Sequence, residues 1–220
     1  SMRMERLGPF LLRQPPGVFP LGEDALRLAA FATARRGWRG CDLGTGSGCL
    51  LLLLSGRTPG LELYGGERDP AAACAARDNL AENGLEGTVW TGDWSALPGG
   101  TGPFDLVISN PPYFAQGSGA SGGPARMEGR DGLEGLCRAA ARLTRNGGRF
   151  ALCHRPERLT DLLCSLRACG LEPKRLQLSA HGPDRPPSLV LVEAVRQGRP
   201  GLEILPTLYR ANHERVGERA

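Results

Sequence analysis

The residues best suited to chemistry stand together at Asn110-Pro111-Pro112-Tyr113, directly after a short apolar run at 104–109. Two prolines remove backbone donors and hold the chain extended, so the Asn110 amide oxygen and nearby carbonyls project as fixed acceptors. Such acceptors bind a planar NH2 group. An amide or exocyclic nitrogen is a poor nucleophile because its lone pair is delocalised. Accepting its two N–H bonds favours the pyramidal, localised form, so the interaction is strongest near the transition state. Tyr113, with Phe114 beside it, offers a π-face on which a flipped or unpaired base can stack. The bland alternative is a proline-stiffened strand exit with a core aromatic.

Further upstream, a short strand runs into Asp42-Leu43-Gly44-Thr45-Gly46-Ser47-Gly48. Glycines on alternate positions let the backbone turn sharply and approach a ligand lying over the strand end. The spacing is not the dinucleotide G-x-G-x-x-G, and no Gly-Lys-Ser/Thr follows to make a P-loop. Asp42 would repel a phosphate, so a cationic or zwitterionic ligand fits better. The second strand ends at Glu67, roughly twenty residues past the glycines, where an acid accepts hydrogen bonds from ribose hydroxyls. The third ends at Asp93, followed by Trp94. Taken singly, each feature has a structural reading: a tight strand–helix turn, a cap for the helix near Asp69, a cap for the turn at 94–97. Acids ending three successive strands beside a glycine loop describe a nucleoside pocket without a phosphate. S-adenosylmethionine needs such a pocket.

The rest of the chain supplies elements to position these groups. Strand-like runs at 40–42, 61–67, 87–91, 104–109, 149–154, 175–179 and 188–195 alternate with helical stretches, three of them at 69–82, 133–144 and 157–169. The last two strands are separated only by residues 181–187, too short for a helical crossover, and should be antiparallel neighbours. The expected fold is α/β and Rossmann-like: a seven-stranded, mostly parallel sheet with an antiparallel C-terminal hairpin. Residues 1–20 are Pro-rich and read as irregular. Residues 115–131 form a second break loaded with Gly and Ser. After Gly198 a short strand is expected within 202–208, then a polar, fraying end. The boundaries are an N-terminal segment at 1–36 packing on the cofactor site, a catalytic domain at 37–198 and a partly flexible extension at 199–220.

Composition sets the limits. With 220 residues, 40% hydrophobic and 23% charged, the chain can bury one ordinary core. The run Leu50–Leu54 is too short to cross a bilayer, and no secretion signal is evident, so a cytoplasmic, non-membrane protein is expected. Seven scattered cysteines with no Cys-x-x-Cys pair read as free buried thiols, and three distant histidines give no metal site. The net charge of +4 is carried by arginines with a single lysine, Lys174. Arginine's planar fork suits phosphate, so a nucleic-acid partner is allowed.

In this order, DLGTGSG, Glu67, Asp93 and NPPY resemble a class I S-adenosylmethionine-dependent methyltransferase of the amino-methylating group. The resemblance implies the same seven-stranded sheet, with S-adenosyl-L-homocysteine as the product of the cofactor. It places Gly44, Thr45, Gly46 and Gly48 along the methionine moiety and Asp42 near its amino group. Glu67 would hold the ribose, Asp93 the adenine amine and Asn110 the target nitrogen, with Arg68, Trp94 and Asn110 also touching the cofactor and Pro111 and Tyr113 joining Asn110 in catalysis. A narrower likeness covers nearly the whole chain. Residues 19–28 (FPLGEDALRL), NPPYF, Ala125-Arg126 with Glu128, the strand at 147–150, and residues 155–159 and 171–176 resemble the bacterial tRNA1(Val) adenine N6-methyltransferase family. In that family the segment bearing Asp24 closes over the cofactor. Pro112, Tyr113, Phe114 and Arg126 would face the substrate. Two departures are the Gly/Ser-rich stretch 115–123 and the near absence of lysine.

The resemblance implies N6-methylation of an adenine in structured RNA, a tRNA above all, without a metal. A loop base suits such a site because it unstacks cheaply. The alternatives within enzymes are methylation of a release-factor glutamine, of guanine N2 in ribosomal RNA, or of adenine in DNA. Bacterial glutamine enzymes carry a helical domain before the glycine loop, whereas residues 1–43 alone precede it here. A different class is a noncatalytic module binding S-adenosylmethionine or RNA. The oligomeric state is open, a monomer being favoured.

Overall fold

The computed structural model describes residues 1–17, 22–94, 97, 102–111 and 130–210. The chain runs β1 (Arg3–Leu7), β2 (Phe10–Gln14), α1 (Glu23–Phe31), β3 (Arg39–Leu43), α2 (Cys49–Arg57), β4 (Glu62–Glu67), α3 (Pro70–Glu82) and β5 (Gly87–Thr91). It continues with β6 (Phe104–Ser109), α4 (Arg130–Leu143), β7 (Thr144–His154), α5 (Leu159–Ala168), β8 (Leu171–Ala180), β9 (Leu189–Arg196), β10 (Glu203–Ile204) and β11 (Leu208–Tyr209). The main sheet has the order β10-β8-β9-β7-β6-β3-β4-β5, with β11 also on β8. Strands β3 to β7 pair in parallel, while β9 is antiparallel to both β7 and β8. The order reverses between β3 and β6, which opens a crevice at their carboxyl ends.

Each strand feeds two cores by alternation. Leu106, Ile108, Ala151, Cys153, Leu189 and Leu191 face the layer of α1, α2 and α3. Val107, Phe150, Leu152, Val190 and Val192 face α4 and α5. This period of two, buried on both sides, gives the strands their nearly unbroken apolar character. Helix α2 carries the leucine run, and four of its five leucines are buried, a helix apolar nearly all round. Asp69 caps α3 by accepting the Ala71 amide at 3.1 Å, with Pro70 in the first turn. No helix among the described residues is long and apolar enough to cross a membrane.

Two expectations need correction. The described main sheet has nine strands, not seven. Beyond Gly198 the chain returns along the free edge of β8, where β10 and β11 pair with it in parallel. The Leu205 amide donates to Leu176 O at 2.8 Å and Gln177 Nε2 to Pro206 O at 2.8 Å. Edge coverage of this kind removes unpaired backbone from water. Nor is the N-terminus irregular throughout: β1 and β2 form an antiparallel hairpin turning at Gly8, whose φ is +61°. Leu7 and Leu12 are buried on the α1–α3 side.

Helix α3 holds this hairpin through two asparagines. Asn79 exchanges both hydrogen bonds with the Arg13 backbone, and Asn83 does the same with Leu11, all at 2.9 Å. Residues four apart on a helix rise about 6 Å, and residues two apart on a strand about 6.7 Å. The two side-chain amides therefore stand in for a missing neighbour strand.

Candidate active site

The glycine loop leaves β3 at the crevice and enters α2 at Gly48, the N-cap. Gly44, Gly46 and Gly48 have φ of +83°, +56° and +92°, a region costly to any residue with a Cβ. The amides of Gly44 and Thr45 both donate to Gly66 O, at 2.8 and 3.0 Å, and the Gly46 amide donates to Glu67 Oε1 at 2.9 Å. Strand β4 thus shapes the loop. A Cβ on Gly65 would lie 3.1 Å from Thr45 Cβ, so glycine there lets Thr45 pack against the strand. Trp94 lies over the other flank, its Cζ3 3.9 Å from where a Gly44 Cβ would stand.

The three strand-end acids differ in environment. Asp42 is 1% exposed and its Oδ1 has no hydrogen-bond partner. Burial pushes its carboxyl up to about 7; Thr45 opposes the rise and the Glu67 carboxylate adds to it. Glu67 is half-buried, with Oε1 on the Gly46 amide and Oε2 on the Asp69 amide at 2.8 Å. Asp93 is more open and faces the Arg68 guanidinium at 3.9 Å. The structure therefore brings Asp42, Gly44, Thr45, Gly46, Gly48 and Glu67 into one loop cluster, with Arg68, Asp93 and Trp94 on its rim.

Asn110 follows β6. Asp42 pairs with Ile108, so the same register continued sets Asn110 level with Gly44 on the neighbouring strand. Ser109 Oγ donates to Leu43 O at 2.8 Å and ties the two strand ends together. Asn110 is half-buried and Pro111 buried. The Asn110 Oδ1 accepts from the Cys153 thiol at 3.1 Å. Burial holds that thiol protonated, and Asp24, in the first turn of α1, lies near enough for its charge to oppose ionisation further. Pro112, Tyr113, Phe114 and Arg126 lie outside the described residues.

Four contributors escape the sequence reading. Asn79 also donates from Nδ2 to Ser47 O at 2.8 Å, linking the glycine loop to α3 and the hairpin. Its only signal is an amide in the middle of an Ala-rich helix. Gly65 is signalled by the glycine pair before Glu67. Ser109 and Cys153 carry no signal, since a buried Ser or Cys at a strand end is ordinary. Away from the crevice, Glu193 is 0% exposed and accepts from the Thr33 amide and hydroxyl at 2.7 Å each. It also pairs with Arg149 and Arg175, at 3.3 and 3.1 Å. This network fixes the end of α1 to the sheet.

The arrangement suits a ligand with a cation for Asp42, hydroxyls for Glu67 and no phosphate. Residues 13–156 match the methyltransferase small domain family. The chain is 36% identical over 141 residues to the release factor glutamine methyltransferase of Deinococcus radiodurans, covering 59% of this chain and 50% of that one. It is 33% identical over 149 residues to the tRNA1(Val) (adenine(37)-N6)-methyltransferase of Aeromonas hydrophila, covering 66% and 63%. The chain spans about half the length of the curated relatives it matches. A methyltransferase structure from Pyrococcus furiosus superposes with a TM-score of 0.67 at 18% identity, over 86% of this chain and 90% of that one. The match over residues 13–156 and the crevice geometry agree: this chain belongs to the methyltransferase small domain family, a family of S-adenosylmethionine-dependent methyltransferases.

Proposed function

We propose that this chain transfers a methyl group from S-adenosylmethionine to the exocyclic N6 of an unpaired adenine in RNA, specifically in a tRNA. The observation that carries the proposal is Asn110, a half-buried amide acceptor level with the glycine loop at the crevice. The residues fit the cofactor. Asp42 Oδ1 is buried without a partner and suits the amino group of the methionine moiety. A Cβ at Gly46 would meet nothing within 4 Å, so the loop leaves open space on its ligand side. Glu67 and Asp93 offer acceptors for the ribose and the adenine amine.

Bound S-adenosylmethionine supplies an electrophilic methyl group. Asn110 Oδ1 and the carbonyls stiffened by the prolines accept the N–H bonds of the target nitrogen. This favours the geometry in which its lone pair is localised. No side chain needs to remove a proton first: the nitrogen becomes strongly acidic once alkylated and loses its proton to water. Arg68, Arg155, Arg185 and Arg210 stand at the carboxyl edge of the sheet, interleaved with Glu157 and Asp184. Individual guanidinium forks there suit the phosphates around a loop base.

A second reading is favoured by the Deinococcus relative, whose name specifies a release-factor glutamine. A glutamine amide presents the same NH2 to Asn110. The net charge of +4 and the arginines along the sheet's carboxyl edge favour RNA. The test is Asn110→Ala. Cofactor affinity measured by calorimetry should stay within twofold while methyl transfer to tRNA falls by about a hundredfold or more, the scale of losing a transition-state acceptor. Unchanged transfer would remove Asn110 from the chemistry, and the proposal with it.

A further inference from the structure

We infer that Cys153 is a positioning residue for methyl transfer: its thiol donates to Asn110 Oδ1 and holds the amide with that oxygen as the acceptor at the crevice. The inference rests on the role proposed for Asn110. The contact follows from the sheet. Ser109 pairs with Leu152, so Asn110 and Cys153 are the next residues on two adjacent parallel strands. Cys153 points to the α1–α3 side, together with Ala151 and Ile108. It is 0% exposed, and its Sγ lies 3.1 Å from Asn110 Oδ1.

The chemistry of the pair is one-directional. An S–H group is a donor, and the amide Nδ2 has only protons to offer, so a flipped Asn110 would set donor against donor. The oxygen is the half of the amide that the thiol selects. A carbonyl oxygen has two lone pairs, and the thiol takes one, leaving the other for an incoming N–H. Burial, reinforced by the charge of Asp24, keeps this thiol protonated well above the ordinary cysteine range. The donor is therefore present at neutral pH, and a buried neutral thiol is a poor target for oxidation.

The S–H bond orients the acceptor and leaves its second lone pair to the target nitrogen. Serine at 153 should orient Asn110 equally well, and an alkyl side chain should not orient it.

The experiment uses the full chain and two readouts. Infrared difference spectra between the wild type and Cys153→Ala isolate the S–H stretch of Cys153. That band should move to higher frequency in Asn110→Ala, because the acceptor is gone. An unmoved band would overturn the contact whatever reaction the protein catalyses. In methyl transfer, Cys153→Val and Cys153→Ala should each lower kcat about three- to tenfold, the scale of one neutral hydrogen bond. The KM for tRNA and the cofactor Kd should not change, and Cys153→Ser should restore kcat. Equal turnover in the wild type and both alkyl variants would overturn the positioning role. If the wild type methylates no tRNA, the adenine reading fails, and the band shift together with turnover on a release-factor glutamine decides the role of Cys153.

Discussion

Glu67 Oε1 accepts the Gly46 amide at 2.9 Å while Glu67 Oε2 accepts the Asp69 amide at 2.8 Å, so one carboxylate fixes both the glycine loop and the approach to α3. An acid at a strand end can serve as a cap or as a ligand-binding group, and in the proposed reading the first use prepares the second. The carboxylate is held in place by backbone donors before any ribose arrives, which lowers the ordering cost of binding.

Replacing Glu67 should therefore affect the cofactor first. Hydrogen bonds to a charged group are worth about 1.5–3 kcal/mol, or roughly ten- to hundredfold in affinity. Glu67→Ala should raise the cofactor Kd by that factor in calorimetry. Glu67→Gln, which keeps one acceptor oxygen, should fall between Ala and the wild type. An unchanged Kd in Glu67→Ala would disprove the pocket assignment.

Asp42 makes stability depend on pH in a defined direction. Its folded carboxyl titrates at about 7 against an ordinary 3.8, because it is buried. The folded chain keeps a proton that the unfolded chain releases, so this contribution is complete below about pH 4 and is lost as pH rises toward 7. Urea unfolding of the wild type relative to Asp42→Asn should show that decline, and a constant difference would contradict it. An ammonium group seated against Asp42 favours the ionised form. Cofactor affinity should then rise with pH through about 7 in the wild type and lose this rise in Asp42→Asn.

Asn79 joins three segments: β2, the glycine loop and α3. Asn79→Ala strands the Ser47 and Arg13 carbonyls and the Arg13 amide, at about 1–3 kcal/mol for each group that water cannot reach. Chemical denaturation should show the loss. Asn83→Ala, in a more exposed pair, should cost less. Equal costs would mean that the link to the glycine loop contributes nothing.

The site was more legible in the sequence than its supports. That Asp42, the alternating glycines, Glu67 and Asp93 stand together was legible from type and spacing, because each stands at or just past a strand end at one edge of the sheet. The C-terminal hairpin was legible from the shortness of residues 181–187. The β1–β2 hairpin was not. Pro9, Pro15 and Pro16 read as irregular chain, while the partners that hold the hairpin, Asn79 and Asn83, lie 66 and 72 residues away. The β10 and β11 additions likewise depend on the open edge of β8, which only the assembled sheet reveals. Cys153 reads as an ordinary core thiol until the register of β6 and β7 sets it beside Asn110.

Glycine at 65 permits a close approach. An alanine Cβ would lie 3.1 Å from both Thr45 Cβ and Cγ2, tighter than ordinary carbon contacts, so Thr45 would have to shift. Gly65→Ala should destabilise the fold by about 1–3 kcal/mol through overpacking. The cofactor Kd should rise as Thr45 is displaced. Unchanged thermal stability and affinity would show that the loop relaxes freely.

Methyl transfer to an RNA adenine is decided by incubating the protein and labelled S-adenosylmethionine with total tRNA from a strain lacking this gene, followed by nucleoside mass spectrometry. A labelled N6-methyladenosine peak should appear with the wild type and be absent with Asn110→Ala. Intact cofactor binding with no label entering tRNA would contradict the proposed reaction.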